Sequence, residues 1–262
     1  MILRSLAWRR GTLALALAFA VPLAGLADSI ATRRKQEPMH RGFFLKDPGG
    51  KILASGEEVA VVQGDLVHSR LTFHFLDGSL DDEEVVFTQG SVFHLISDHH
   101  IQKGPAFPSP VDLAVDVPSG RITWHEQKSG KDAAKSQTLS LPGDLANGIM
   151  ALLVENFPSG ASAMHVSWVG VAVKPLVATV SVAPLGWQDI DPAGATERAA
   201  EYVIHPELHG LVGFLAPLVD KQPADIHIWV TDEKVPSFVR LAGPFYQGGP
   251  TWTVEPTGPQ TP

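Results

Sequence analysis

The most regular feature of the sequence is an alternation of apolar and polar residues. In "LVHSRLTFHFL" the apolar positions on one side are Val67, Leu71, Phe73 and Phe75. Successive side chains of a β-strand point to opposite faces, so this pattern predicts a strand with one buried face. Similar runs occur in both halves of the chain, separated by turn sequences such as Pro118-Ser119-Gly120.

One segment has a different period. In "DLANGIMALLVENFP" apolar residues recur at helical spacing, Asp144 stands where a helix cap is expected, and Pro158 follows the apolar run. This pattern predicts a helix at about 144–156. Together the two patterns predict a mainly β fold: an antiparallel β-barrel, a half-barrel or a two-sheet β domain with one packed α-helix.

The ends of the chain predict export and a single folded unit. Residues 1–27 combine a basic start, an apolar run and small residues at Gly25 and Ala27, which is the layout of a signal peptide. We expect residues 28–56 to be an N-terminal linker with at most one short hairpin, 57–255 a single β-rich domain and 256–262 a flexible tail. The expected location is periplasmic or secreted, with no membrane span after signal cleavage.

The net charge and the lack of cysteine exclude some classes of partner and chemistry. Removal of residues 1–27 leaves 17 Lys and Arg against 28 Asp and Glu, a formal charge of −11. Such a surface repels nucleic acid and anionic lipid, so neither is an expected partner. The chain has no cysteine, which excludes disulfides and thiol chemistry.

Candidate chemistry concentrates in "FHLISDHHIQKGPAFPSPVDL", residues 93–113. If 93–102 is one regular strand, His94, Asp98 and His100 share a face. Side chains at such spacing lie roughly 7 Å apart, too far to share one ion. We therefore predict a solvated polar face, no metal site and no cofactor. The acidic run 81–84 is expected at the tip of a solvated turn.

A family resemblance covers most of the chain. It rests on "SRLTFHFLDGSLDDEEVVFTQGSVFHLISDHHIQKGPAFPSPVDLAVDVPSG", "LPGDLANGIMALLVENFP", "APLVDKQPADIHIWV" and "PSFVRLAGPFYQGGPTWTVE". These stretches resemble a family of bacterial exported proteins of unknown function. The resemblance runs from about 57 to 255 and implies one structural unit, but no activity, cofactor or catalytic residue.

Three classes of function remain open. The first is a periplasmic binding or carrier module for an apolar small molecule or lipid, and the second is an envelope scaffold that binds protein. The third is a hydrolase-type enzyme that uses a polar sheet face with Asp98, His100 and Asp112, although no catalytic motif is present. The candidate ligand-binding residues of the first class are Phe107, Phe214, Leu215, Phe245, Tyr246 and Trp252.

Overall fold

The structure is a computed structural model that describes residues 30–128, 131–171, 174–191, 196–207, 223–231 and 236–258. The predicted signal peptide and the candidates Phe214 and Leu215 lie outside the described residues. The described part of the chain forms fourteen strands and one short helix.

The elements follow one another in a simple order. The strands of the first half are β1 (Met39–Lys46), β2 (Ile52–Gln63), β3 (Leu66–Phe75), β4 (Leu80–Gln89), β5 (Phe93–Lys103), β6 (Val111–Asp116), β7 (Arg121–Lys128) and β8 (Lys131–Thr138). The helix and the strands of the second half are α1 (Met150–Glu155), β9 (Met164–Val171), β10 (Pro175–Ile190), β11 (Glu197–Glu207), β12 (Ile226–Thr231), β13 (Phe238–Pro244) and β14 (Thr251–Pro256).

All fourteen strands belong to one antiparallel sheet. Its order is β8-β7-β6-β5-β4-β3-β2-β1-β14-β13-β12-β11-β10-β9, so β1 and β14 join the two halves and β8 and β9 are the edges. The sheet is curled, as one hydrogen bond between distant strands shows. Gln102 on β5 donates to the carbonyl of Phe245, which follows β13, over 2.9 Å. The predicted antiparallel β class is confirmed, and the open edges make the fold a half-barrel.

The topology places α1 inside the half-barrel. The chain leaves the sheet at β8, one edge, and re-enters it at β9, the other edge, so the connection must cross a face. Leu145, Ile149 and Leu153 in this connection are buried in the main core together with inner-face residues such as Phe87. The connection therefore crosses the inner face; we call residues 144–157 the plug.

The helix in the plug is shorter than the sequence predicts. It has six residues, and no side chain caps its start. Asp144 instead pairs with the edge of β9: its carbonyl accepts from the amide of Ser167, and its carboxyl accepts from the Ser167 hydroxyl. Asn147 extends this contact by bonding both the amide and the carbonyl of Val169. The first residues of the plug thus cover a sheet edge, which leaves fewer for the helix.

The segment 28–56 is not a linker throughout. Residues 39–46 form β1, which pairs with both β2 and β14 and buries Phe43 and Leu45. The one hairpin expected in this segment is present, since β1 and β2 pair across residues 47–51, but β1 is a full member of the sheet and not part of a linker. Residues 30–37, which we call the strap, run along the sheet: the amide of Thr32 donates to Ser91, and Gln36 and Gln89 exchange two hydrogen bonds.

Candidate functional site

A β-bulge decides where the polar residues of β5 point. Phe87 of β4 pairs with Leu95, but the neighbouring Val86 pairs with Ser97, so Ile96 has no partner in the register. The extra residue reverses the alternation, so His94 is exposed whereas Asp98 is buried, with 2% of its surface accessible. The predicted solvated face shared by His94, Asp98 and His100 is therefore wrong.

Strand β4 brings further acidic groups to the same inner face. Asp81 lies opposite Gln102, Glu83 opposite His100, and Val85 opposite Asp98. Asp81 is buried and Glu83 partly buried, so the predicted solvated turn over 81–84 is wrong. A signal for this was present in the sequence: Asp81 and Glu83 continue the alternation of Val85 and Phe87, which are apolar.

Asp81 is the centre of a hydrogen-bonded group. His100 Nε2 donates to Asp81 Oδ1 over 2.9 Å, and Gln102 Nε2 donates to Asp81 Oδ2 over 2.9 Å. Gln102 also reaches the carbonyl of Phe245. These contacts fix the orientation of the His100 ring and link β4 and β5 to the far side of the half-barrel.

Asp98 and Glu83 meet the backbone of the plug at Gly148. A β-carbon on Gly148 would lie 3.4 Å from Asp98 Oδ1, 3.3 Å from Glu83 Cδ and 2.2 Å from Val85 Cγ2. Gly148 has φ of 65°, a left-handed conformation that glycine adopts without steric cost. Position 148 therefore requires glycine for both its conformation and its space, and it holds the plug against the two carboxyl groups.

The surroundings shift the protonation of these groups. Burial, together with the neighbouring charge of Glu83, raises the pKa of Asp98 well above its ordinary value, and burial also raises the pKa of Glu83. Burial lowers the pKa of His100, but the hydrogen bond to Asp81 and the charges of Glu83, Asp81 and Asp98 outweigh it and raise the pKa to about 9. One imidazolium thus faces three carboxyl groups, and burial disfavours the charged form of two of them, Asp98 and Glu83.

A small cavity with mixed polar and apolar walls adjoins this group. It has a volume of about 50 Å³, enough for a few water molecules, and Gly148 is part of its wall. Glu58 lines it and bonds both Arg41, at 3.2 Å, and the hydroxyl of Ser69, at 3.2 Å. Glu155 of α1 also lines the cavity, and burial raises its pKa. The cavity and the buried acidic residues thus share the plug as their cover.

Asp112 belongs to a different surface. It is on the outer face, where its two oxygens lie 2.9 Å from His99 Nε2 and 3.9 Å from His125 Nε2. The structure therefore brings Asp98 and His100 together with Asp81 and Glu83, and separates Asp112 from them by the thickness of the sheet.

The aromatic candidates form a cluster inside one end of the half-barrel. Phe107 contacts both Tyr246 and Trp252, with ring centroids 6.1 Å apart in each case, and Phe245 contacts Trp252 at 5.5 Å. Phe107 and Trp252 are buried, whereas Phe245 and Tyr246 are partly buried against the core. These four residues pack on one another.

Metal ligation and membrane crossing find no support in the described residues. No group of three His, Asp or Glu side chains among them is arranged to hold a metal ion. No helix in the described part of the chain has the length and apolar character needed to cross a membrane.

The fold and site define a half-open, β-barrel-like protein with a covered acidic inner face. No family model and no curated protein matches the sequence. Among solved structures, the chain is similar to a β-barrel-like protein of a domain of unknown function from Brucella abortus, with 9% identity and a TM-score of 0.45 over 86% of this chain and 98% of that chain. It is also similar to MucB in complex with MucA(peri), with 12% identity and a TM-score of 0.16 over 84% and 88% of the two chains. Values this low carry no inference about function.

Proposed function

We propose that this is an exported binding module that holds a small molecule on the inner face of its half-barrel, in the space covered by the plug. The observation that carries the proposal is Asp98, a buried carboxyl group whose two oxygens accept no hydrogen bond of good geometry and have only the Asn147 amide as a nearby donor. A buried carboxyl left unpaired lowers stability, and such groups concentrate at functional sites.

The way in which the plug is attached supports this role. Its C-terminal end is tied by hydrogen bonds: Asn156 Oδ1 accepts from the amides of Arg33 and Arg34, and Glu155 Oε1 accepts from the amide of Phe238. Polar contacts of this kind exchange with water at small net cost. Because the helix is only six residues long, it can open while the sheet stays intact, although Ile149 and Leu153 then leave the core and ligand binding must offset that cost.

Export and an apolar ligand are parts of the same proposal. The layout of residues 1–27 supports export to the periplasm or the medium. Val85 and Val115 flank Asp98 on β4 and β6, which supports a ligand with an apolar body. The aromatic cluster around Trp252 lends no support to a second binding mouth at its end of the half-barrel.

An engineered disulfide tests whether the plug covers a binding site. Leu145 and Ser167 are bridge partners, and adjacent strands lie about 4.8 Å apart, within the range that a disulfide spans. The absence of native cysteine keeps the pair Leu145→Cys/Ser167→Cys free of competing thiols. With the neutral dye Nile red as probe, we expect the reduced variant to bind and the oxidised variant to bind slowly or not at all.

A matched pair controls for the disulfide itself. Ala114→Cys/Thr123→Cys joins β6 and β7 at partnered positions on the outer face, and its oxidation should not change dye binding. Equal Nile red binding by the oxidised and reduced plug variants would contradict the proposal, as would the absence of binding in both.

A second candidate function, protein binding, has one observation in its favour. Strand β10 extends beyond its pairing with β9, which ends at Val182, and Leu185 and Trp187 in the extension are 56% and 51% exposed. Exposed large apolar residues that lie close together are typical of interaction surfaces. Replacing both with Ser should abolish co-purification of an envelope protein; unchanged co-purification would rule out this surface.

A further inference from the structure

Some carboxyl groups of the inner face have a cationic side chain in contact and others do not. Three carboxyl groups have a cationic neighbour: Glu155 has Arg34 at 3.8 Å, Glu58 has Arg41 at 3.2 Å, and Asp81 has His100 at 2.9 Å. Among the described residues, Asp98 and Glu83 have no ion-pair partner of their own. The inner face therefore has two carboxyl groups that no protein cation neutralises by direct contact.

The nearest donor to Asp98 is the side-chain amide of Asn147, which also serves another acceptor. Asn147 lies beside it in the plug, but the Asn147 amide nitrogen donates to the carbonyl of Val169, and its oxygen accepts from the amide of Val169. The opposite neighbours of Asp98 in the sheet, Val85 and Val115, offer no polar side chain. Asp98 therefore faces the plug backbone at Gly148, where the second N–H of the Asn147 amide is its nearest donor and no cationic side chain contacts it.

We propose that Asp98 and Glu83 bind the cationic amine of a ligand that otherwise has an apolar body, which rests on the binding function proposed above. An ammonium group has three donors and a full positive charge, and two adjacent carboxyl groups provide the complementary acceptors. Val85 and Val115 would contact the apolar part. The space comes from the segment around Gly148, which presses on both carboxyl groups in the closed form.

Binding of an amine at this site releases protons. Burial and mutual charge raise the pKa values of Asp98 and Glu83, so the closed form retains protons that the unfolded chain would lose. The groups that face them are Asp81 of β4, His100 of β5 and Glu58 of β2, whose charges enter the same balance. A bound ammonium favours the ionised carboxylates, so we expect the release of about one proton per amine bound.

Three fluorescent probes with the same dansyl group distinguish ligand classes. Dansylcadaverine ends in an amine, N-pentyl dansylamide has the same chain without a charge, and dansyl-6-aminohexanoate ends in a carboxylate. We expect the amine to bind the full-length protein at least tenfold more tightly than the neutral probe, and the anion to bind weakest. Calorimetry in buffers of different ionisation enthalpy measures the proton release.

Two Asp→Asn variants test whether the preference for the amine probe depends on Asp98. Asp98→Asn should lower the affinity for dansylcadaverine at least tenfold and leave that for the neutral probe unchanged, whereas Asp112→Asn on the outer face should change neither. Equal binding of the amine and neutral probes, or an unaltered amine affinity in Asp98→Asn, would overturn the amine inference and leave the binding function standing. Binding of none of the three probes would contradict the binding function itself.

Discussion

Neighbouring residues on β5 show how strongly the two faces of the sheet differ. His99 points outwards, is 46% exposed and lies 2.9 Å from Asp112; His100 points inwards, is 27% exposed and lies 2.9 Å from Asp81. The two pairs have the same contact distance, but solvent screens the outer one. The inner one is surrounded by further carboxyl groups in a poorly solvated site, so its charges affect stability and protonation much more.

The largest change in the free energy of unfolding should come from a substitution in the plug, which covers the inner face. In Gly148→Ala the new methyl group would meet Val85 at 2.2 Å. The backbone at this position would also hold the alanine in a left-handed conformation. We expect a loss of about 3 kcal/mol in the free energy of unfolding, from strain and overpacking together. Urea denaturation measures this loss.

Gly160→Ala is the matched control, because Gly160 also has a positive φ, 77°, but a β-carbon added there would meet no neighbouring atom within 4 Å. It should lose only about 1 kcal/mol, the conformational part of the cost. Similar losses for the two variants would show that the plug does not press on the inner face.

The pH dependence of stability should come from the inner pair. The pKa of His100 is raised from 6.5 to about 9, so its stabilising contribution is complete below pH 6.5 and is lost as the pH rises through 9. One pKa unit corresponds to about 1.4 kcal/mol, so the full shift corresponds to about 3.5 kcal/mol; because the His100 side chain is 27% exposed, solvent screening should reduce the loss to about 2–3 kcal/mol. Urea titrations from pH 6 to 10 should show this decline in the wild type and in His99→Gln, but not in His100→Gln.

Replacing His99 or His100 with alanine at neutral pH compares the outer and inner faces directly. His100→Ala leaves the buried Asp81 without its imidazolium, and we expect it to cost about 2 kcal/mol of the free energy of unfolding. His99→Ala should stay within about 0.5 kcal/mol of the wild type, because its partner Asp112 remains solvated. Thermal unfolding of the two variants side by side is sufficient, and equal costs would remove the distinction between the faces.

On the inner face, the smallest effect on the free energy of unfolding at neutral pH should come from Asp98→Asn, within about 1 kcal/mol of the wild type. The pKa of Asp98 is raised, so above about pH 4 the unfolded chain loses a proton that the folded protein keeps, and stability falls with rising pH until the raised pKa is reached. The variant should lack this part of the decline, which begins above about pH 4. An unchanged slope in urea titrations would argue against a retained proton on Asp98.

The sequence predicts the local structure better than the site. Alternation on β3 gives the correct inner face for Phe73 and Phe75, because a regular strand obeys a period of two. The bulge at Ile96 has no comparable signal, and this one residue moves Asp98 and His100 from the expected outer face to the inner one. Local patterns also cannot show that the connection between β8 and β9 crosses the inner face, since that follows from the order of all fourteen strands.

The most direct test of the central claim, that the plug opens over a binding face, is native-state hydrogen exchange. We predict that plug amides such as those of Leu153 and Asn156 exchange through a local opening at lower free energy than the amides of Asp98 and His100 in β5. A ligand that binds beneath the plug should also slow their exchange. Exchange of plug and β5 amides at one common free energy, that of global unfolding, would contradict the account.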